Sequence, residues 1–415
     1  MSAGVHIKKY NIVLIVLDTA RSQTFAHLMR SGSIQLKKFR DAIYIKECIA
    51  PSSWTLPSHA SLFTGMYPSE HGSHETKSVK SLDIGKIKLR HKTIVSDLKK
   101  IGYKTYGISA NPYIHPIYGF DEFDYFREES YFTDMHGSVL EISGKLKPLV
   151  ARYRNMVVDD TDTNMGKVLK LAKVIGKEDI GLLLNMIASG VVLTPIAALK
   201  KINAKYIDGW PVEKGGKSIV KNIKLLRLRK PFFLFVNLME AHDPYIGKKG
   251  LDFNWSTPFM KKMVSAQLIE KWKKIYEVGM RKAADYSYQI IKEVLDRSGD
   301  ETIVVVTSDH GQAFNEHGFI GHGTVLYDEV VKVPMMLILP KGMPRKLGKG
   351  EVSLTNVRRF LLSAIGGEAD PLAKLYSQKA YAESFGIPSN VRQAKGIDMK
   401  KLESFEKYAR RTFGK

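Results

Sequence analysis

The residues best suited to chemistry in this chain follow apolar runs. Asp18 ends the run NIVLIVL, Glu240 and His242 follow FFLFVNLM, and Asp309 and His310 follow TIVVVTS. A further dense segment, PSSWTLPSHASLFTGMYPSEHG over residues 51–72, carries Thr55 and His59. Pro57 suits the first turn of a helix, so Thr55 stands at that helix's N-terminus. There, free backbone N–H groups and the helix dipole favour an anion. A hydroxyl at such a place is a candidate nucleophile toward a bound anionic group. An isolated Thr-x-Pro is more often a simple helix cap, so the surrounding residues must decide.

The elements that position these groups follow from the apolar pattern. Runs at 11–17, 232–238, 302–307 and 334–339 read as buried strands, with a fifth at 104–109 after the turn at Gly102. Helical patterns at 58–64, 93–100 and 265–298 lie between them. Strands alternating with helices imply an α/β fold with a mainly parallel central sheet sandwiched by helices. In such sheets ligands bind beyond the carboxyl ends of the strands. Three strand ends deliver acids or histidines there, so the spacing alone implies one convergent polar site.

Composition sets the frame. The 415 residues suffice for one large domain with insertions or for two. Hydrophobic residues make up 44%, which excludes global disorder. The balance of 64 basic against 42 acidic residues, +22 in all, favours anionic substrates, polyanions or anionic membranes. No nucleic-acid motif accompanies that charge, so specific nucleic-acid recognition is not expected. Cys48 is the only cysteine, which forbids an internal disulfide and fits a reducing compartment. The apolar stretch 12–17 is too short for a signal h-region. We therefore expect a cytoplasmic protein.

Residues 1–126 and 229–378 read as a catalytic core, 127–228 as a helical insertion, and 379–415 as a helical tail. Within the insertion, 180–199 is a run of twenty uncharged residues. Asn185, Ser189, Gly190, Thr194 and Pro195 lower its hydrophobicity, so a packed helical hairpin fits it better than a bilayer span. Association with a membrane surface through 180–199 stands between the two.

Taken whole, the 51–72 segment resembles the signature of the sulfatases, in the alkaline phosphatase superfamily. In that signature a Cys or Ser, then x-Pro-x-Arg, opens a helix ending in Thr-Gly. Thr55 takes the nucleophile position and His59 takes that of the Arg. The segment is also similar to the nucleotide pyrophosphatase/phosphodiesterase pattern of Thr-x-Pro-Asn-His before a helix. The resemblance covers roughly 9–124 and 230–340.

The resemblance implies a hydrolase of phosphoric or sulfuric esters with a divalent metal held by Asp18, Thr55, Asp309 and His310. An imidazole in that set shifts preference toward Mn or Zn, away from the Ca or Mg of a sulfatase-like site. Sulfatases oxidise their Cys or Ser to formylglycine, and the extra methyl of Thr55 prevents formation of that aldehyde. The expected chemistry is therefore attack on a phosphate monoester, a diester or a phosphonate, with sulfate esters as the alternative. A non-catalytic relative binding an anionic lipid or glycan is a second alternative.

The Glu-Ala-His-Asp-Pro-Tyr stretch resembles the sulfatase His-x-Pro-Tyr region, and by that resemblance His242 would stabilise the transferred group or protonate the leaving oxygen. His322, between two glycines, would clamp substrate or help hold a second metal. The phosphodiesterases pair such histidines with an Asp four residues before the first, where this chain has Leu238. One metal is therefore expected and a second left open. Asn111 and His74 are weaker candidates for contacting substrate, and His317 reads as structural.

Overall fold

The structure is a computed structural model that describes residues 9–76, 84–129, 213–243, 257–260, 264–386, 396–408 and 413–414. The chain divides into two units, residues 1–129 with 211–415, and 130–210. The second unit, with the 180–199 run and most of the expected insertion, lies outside the described residues.

The first unit is built on a seven-stranded sheet. Its strands are β1 (Asn11–Leu17), β2 (Ile43–Ile49), β3 (Lys104–Ser109), β4 (Tyr125–Glu128), β5 (Phe232–Leu238), β6 (Thr302–Thr307) and β9 (Lys332–Ile338). They lie in the order β2-β9-β6-β1-β5-β3-β4. From β6 to β4 all neighbours run parallel, while β9 is antiparallel to both β6 and β2. Every residue of β1, β5 and β6 is buried, as expected where helices cover both faces of a parallel sheet.

Register then fixes the site. Leu17 pairs with Leu238, Val16 with Thr307, and Ser109 with Asn237. The four central strands thus end level, and the residues immediately after them emerge along one edge. The sheet's backbone bonding continues past those ends, with Asp18 N donating to Leu238 O at 2.9 Å and Ala110 N to Asn237 O at 3.2 Å.

Four helices matter for the site. α1 (Ser22–Ser31) comes directly after β1, and α2 (Thr55–Thr64) is buried at all ten positions. α3 (Gly216–Leu225) packs on the long α4 (Ala266–Ser298). Ser265 caps α4 by accepting from Leu268 N at 3.3 Å. The Tyr276 hydroxyl on α4 donates to Thr19 O and accepts from Arg21 N, both at 2.8 Å, which pins the β1–α1 turn. Gly279 on the same helix lies against the β5 loop, where a Cβ would meet Glu240 O at 2.3 Å. A two-stranded ladder, β7 (Ala313–Phe314) with β8 (Ile320–Gly321), comes after β6. Among the described residues no helix is long and apolar enough to cross a membrane.

Candidate active site

Asp18, Asp309 and His310 come together at the ends of β1 and β6, all three side chains fully buried. Each carboxylate has one oxygen engaged and one free. Asp18 Oδ2 accepts from Asn111 Nδ2 at 2.8 Å and from Asn237 Nδ2 at 3.3 Å. Asp309 Oδ1 accepts from His310 N at 2.9 Å and Thr19 N at 3.3 Å. Asp18 Oδ1 and Asp309 Oδ2 are buried without a hydrogen-bond partner. His310 Nε2 lies 3.8 Å from the first and 3.4 Å from the second.

Burial, then mutual repulsion, pushes Asp18 up to about 6. Burial also pushes Asp309 up to about 6. Taking an ionised carboxylate out of water costs several kcal/mol unless a positive charge compensates it. His310 cannot supply that charge, because burial lowers it to about 4. Its Nδ1 lies 2.9 Å from Gly311 O, which leaves the Nε2 lone pair facing the carboxylates. Gly311 is required here, since a Cβ would meet Glu329 O at 2.1 Å.

Thr55 completes the set. It is the first residue of α2, with Trp54 in the capping position and no side-chain cap bond. The Thr55 hydroxyl faces His310 and Asn111 and not the helix backbone. Thr55 Oγ1 lies 3.4 Å from His310 Nε2 and accepts from Asn111 Nδ2 at 3.2 Å. The same amide thus orients both Asp18 and Thr55. Two orphaned carboxylate oxygens, one imidazole lone pair and one hydroxyl face a common space, and that donor set fits a divalent cation.

A second group stands beside the first. His242, Asp243 and His322 bring ligand-type atoms within 4.8 Å of one another. His242 Nδ1 is 2.9 Å from Asp243 Oδ1 and donates to Asp243 O at 2.7 Å. Its Nε2 looks toward Asp18 Oδ1 at 3.9 Å. Burial works against charge on His242, but Asp243 and then Asp18 overcome it and raise the imidazole to about 9. Despite burial, His242 holds Asp243 well below the usual carboxylate range. His322 Nδ1 meets Gln312 Oε1 at 2.6 Å. Burial, then the rings of His310 and His242, keeps His322 neutral.

The other candidates divide. His59 sits one turn along α2 from Thr55, with Nδ1 3.0 Å from Thr55 O and 3.5 Å from Asp309 Oδ2. Fully buried edge-on against Phe235, it is lowered to about 3 and braces the site from behind. Asn111 Oδ1 accepts from Tyr113 N at 2.9 Å, so the turn role and the site role coexist. His74 stacks on Phe385 at 3.5 Å and meets Glu75 O at 3.1 Å, contacts that do not join it to the cluster. Glu240 turns away, its Oε1 held by Gly216 N at 2.7 Å and Lys214 N at 3.3 Å. His317 pairs with Glu329 at 3.2 Å.

Sequence reasoning missed Asp243, Asn237, Gln312 and Lys214. The buried Lys214 ammonium donates to the backbone carbonyls of Glu240 and His242 and so ties down the β5 loop. Asn237 had a legible signal, a lone amide inside an otherwise apolar strand. Thr19 holds a left-handed backbone with φ of 63°, an uncommon conformation for a β-branched residue. Its hydroxyl donates to Asp18 O at 2.6 Å.

Comparison with known proteins adds a family. Residues 10–367 match the family model described as Sulfatase. The low-salt glycan biosynthesis sulfotransferase of Haloferax volcanii is 31% identical over 152 residues, 35% of this chain and 36% of that protein. An uncharacterized sulfatase of Escherichia coli is 29% identical over 59 residues, 14% of this chain and 12% of that one. The matches thus span well under half the length of either relative. The phosphonate monoester hydrolase of Agrobacterium radiobacter superposes with a TM-score of 0.54 at 13% identity, over 95% of this chain and 84% of that one. The zinc complex of the C-terminal periplasmic domain of EcEptC from Escherichia coli gives 0.53 at 11% identity, over 98% and 97%. These two likenesses establish the shared fold.

Proposed function

The chain belongs to the sulfatase family, and from that premise we propose that it is a metal-dependent enzyme of phosphate mono- or diesters or phosphonate esters with Thr55 as nucleophile. One observation carries the reading. The Thr55 hydroxyl is free of any capping duty and faces the same space as the orphaned oxygens of Asp18 and Asp309. Oxidation of a threonine side chain gives a ketone, so formylglycine chemistry is closed to it. Direct attack by the hydroxyl oxygen remains.

Asp18, Asp309, His310 and Thr55 would hold the cation. When bound, it would offset the paired carboxylates, lower the Thr55 hydroxyl pKa and draw charge from a non-bridging ester oxygen. The imidazole in the set favours Mn or Zn. Asn111 orients the Thr55 oxygen for in-line attack, and the N-terminal amides of α2 face the anionic group. Thr55 gives up its hydroxyl proton to water, and a bond forms between its Oγ and phosphorus as the bond from phosphorus to the leaving oxygen breaks. His242, kept protonated by Asp243, supplies that oxygen's proton. His322 lines the same wall. Water or an acceptor alcohol then resolves the phospho-threonine.

The partial match to a glycan-biosynthesis sulfotransferase favours a second reading, transfer or hydrolysis of a sulfate ester. Either way the substrate is an anionic ester, in keeping with the +22 charge. The lone, buried Cys48 supports a cytoplasmic setting. Metal-loaded protein assayed in parallel on aryl phosphates, aryl phosphodiesters, aryl phosphonates and aryl sulfates separates the two. We expect phosphorus esters to dominate, with a covalent adduct on Thr55 by mass spectrometry. Dominant sulfate turnover would end the first reading.

A further inference from the structure

The family match ends at residue 367, but the chain returns to the site afterwards. Ala380 and Ala382 are buried against Ile49 and Val331, which brings residues 383–385 across the segment that carries Thr55. Glu383 N donates to Pro51 O at 2.9 Å, and Ser52 Oγ donates back to Glu383 O at 3.0 Å. The Glu383 carboxylate then reaches past the far end of α2, accepting from Ser69 N at 2.7 Å and from Ser69 Oγ at 2.8 Å. One residue thus brackets α2 at both ends.

The next residue reaches the other wall. Ser384 Oγ donates to Thr324 O at 2.7 Å, two positions after His322. That loop is also tied to the Thr55 segment directly, through Gly323 N to Ser53 O at 2.7 Å. Tyr381 packs edge-on to Tyr67 at 5.8 Å, and Phe385 stacks flat on His74 at 3.5 Å. The stretch 381–385 therefore touches the nucleophile segment, the loop after its helix, His74 and the His322 loop.

We propose that residues 381–385 form a positioning strap that sets the spacing between Thr55 and His322, so that the catalytic unit extends beyond the matched family region. The strap touches no reacting atom. It acts through the two loops that carry those residues, and the proposal rests on the function proposed for Thr55 and His322. Misplacing a catalytic group by about 1 Å costs on the order of 100-fold in rate. Losing one of the two ties on the His322 loop should cost less.

The test uses full-length, metal-loaded Ser384→Ala, Ser384→Thr and Thr55→Ala with the best aryl ester found. Ser384→Ala should lower kcat by roughly tenfold at near-constant KM. Tm should move by no more than about 2 °C. Ser384→Thr keeps the hydroxyl and should restore kcat. Amide exchange at residues 322–325 should quicken in the Ala variant and not in the Thr variant. Unchanged kcat in Ser384→Ala, or a loss that Ser384→Thr fails to restore, overturns the strap. Full activity in Thr55→Ala overturns the underlying reading instead, so the two failures are told apart.

Discussion

The Asp18–Asp309–His310 cluster sets two carboxylates against one neutral imidazole, with no side chain exposed. The adjoining cluster, whose His322 ring lies 4.5 Å from that of His310, sets one carboxylate, Asp243, against a raised His242. The second is nearly balanced in charge, and His242 and Asp243 each keep 16% of their side-chain surface. The first carries negative charge with nowhere to place it, while the second carries its own counter-ion. Residue types are similar, but the ratio of acid to base and the depth of burial assign different tasks. On the function proposed above, the first would hold a cation and the second would offer a protonated wall to the anionic ester.

The largest effect should come from breaking the first cluster at its nucleophile. Thr55→Ala should lower turnover of the best phosphorus ester by about 1,000-fold or more, with the circular dichroism spectrum unchanged. No adduct should then form on this segment. Breaking the second cluster should cost less. Asp243→Asn removes the carboxylate that keeps His242 charged, and kcat should fall by about 10- to 100-fold. Metal content, measured by elemental analysis, should stay that of the unaltered protein. Loss of metal in Asp243→Asn would erase the distinction between the clusters.

A third substitution sharpens the contrast through stability. Asp309 Oδ1 is already satisfied, and Oδ2 faces the His310 lone pair. Asp309→Asn keeps the first oxygen and presents an amide N–H to that lone pair. In chelator-treated protein it should raise unfolding stability by about 1–3 kcal/mol, because an uncompensated buried charge is gone. In metal-loaded protein the order should reverse, since the variant has lost a ligand. Denaturant titrations with and without metal measure both. A lower apo stability in the variant would show that the carboxylate is not in excess.

This division was only partly legible in the sequence. The strands β1, β5, β6 and β9 were, because buried strands are nearly continuous apolar runs, and β3, whose KTYGIS is more mixed, was marked by the turn at Gly102 before it. β2, an edge strand with a register shift between Ile45 and Cys48, was not, because its half-exposed IYIKECI breaks the apolar pattern. β4 is four residues on the opposite edge, too short for a pattern. Asp18, Thr55, Asp309 and His310 were legible through motif order. Asp243 was not, because the expected acid stood four residues before His242, at Leu238, where the side chain belongs to the core. Here the carboxylate comes from the next residue along a turn. Glu240 looked like a site residue by position, yet two backbone amides claim it. Proximity in sequence says where a side chain starts and nothing about which donors reach it first.

The smallest effect tests the same rule on a histidine outside the site. His71 is buried without a carboxylate partner in hydrogen-bonding contact: Ser73 N donates to its Nδ1 and Ser61 Oγ lies at its Nε2, both at 3.0 Å. Burial, then the neighbouring His74, lowers it to about 3, opposite in sign to His242. Adding a proton would also end the Ser73 bond, which needs the Nδ1 lone pair. The folded pKa is below the unfolded value near 6.5, so the unfolded chain binds the proton more tightly. This contribution is complete above pH 6.5 and is lost as pH falls from there toward 3. Its slope reaches about 1.4 kcal/mol per pH unit. His71→Asn keeps an acceptor for Ser73 N and removes the titration. Its stability should be lower at pH 7 but should fall less steeply between about pH 6 and 4.5, by up to that slope. Denaturant midpoints across the range check it. Parallel curves for the two proteins would mean that His71 is charged in the fold, and that burial without an acid does not by itself keep a histidine neutral here.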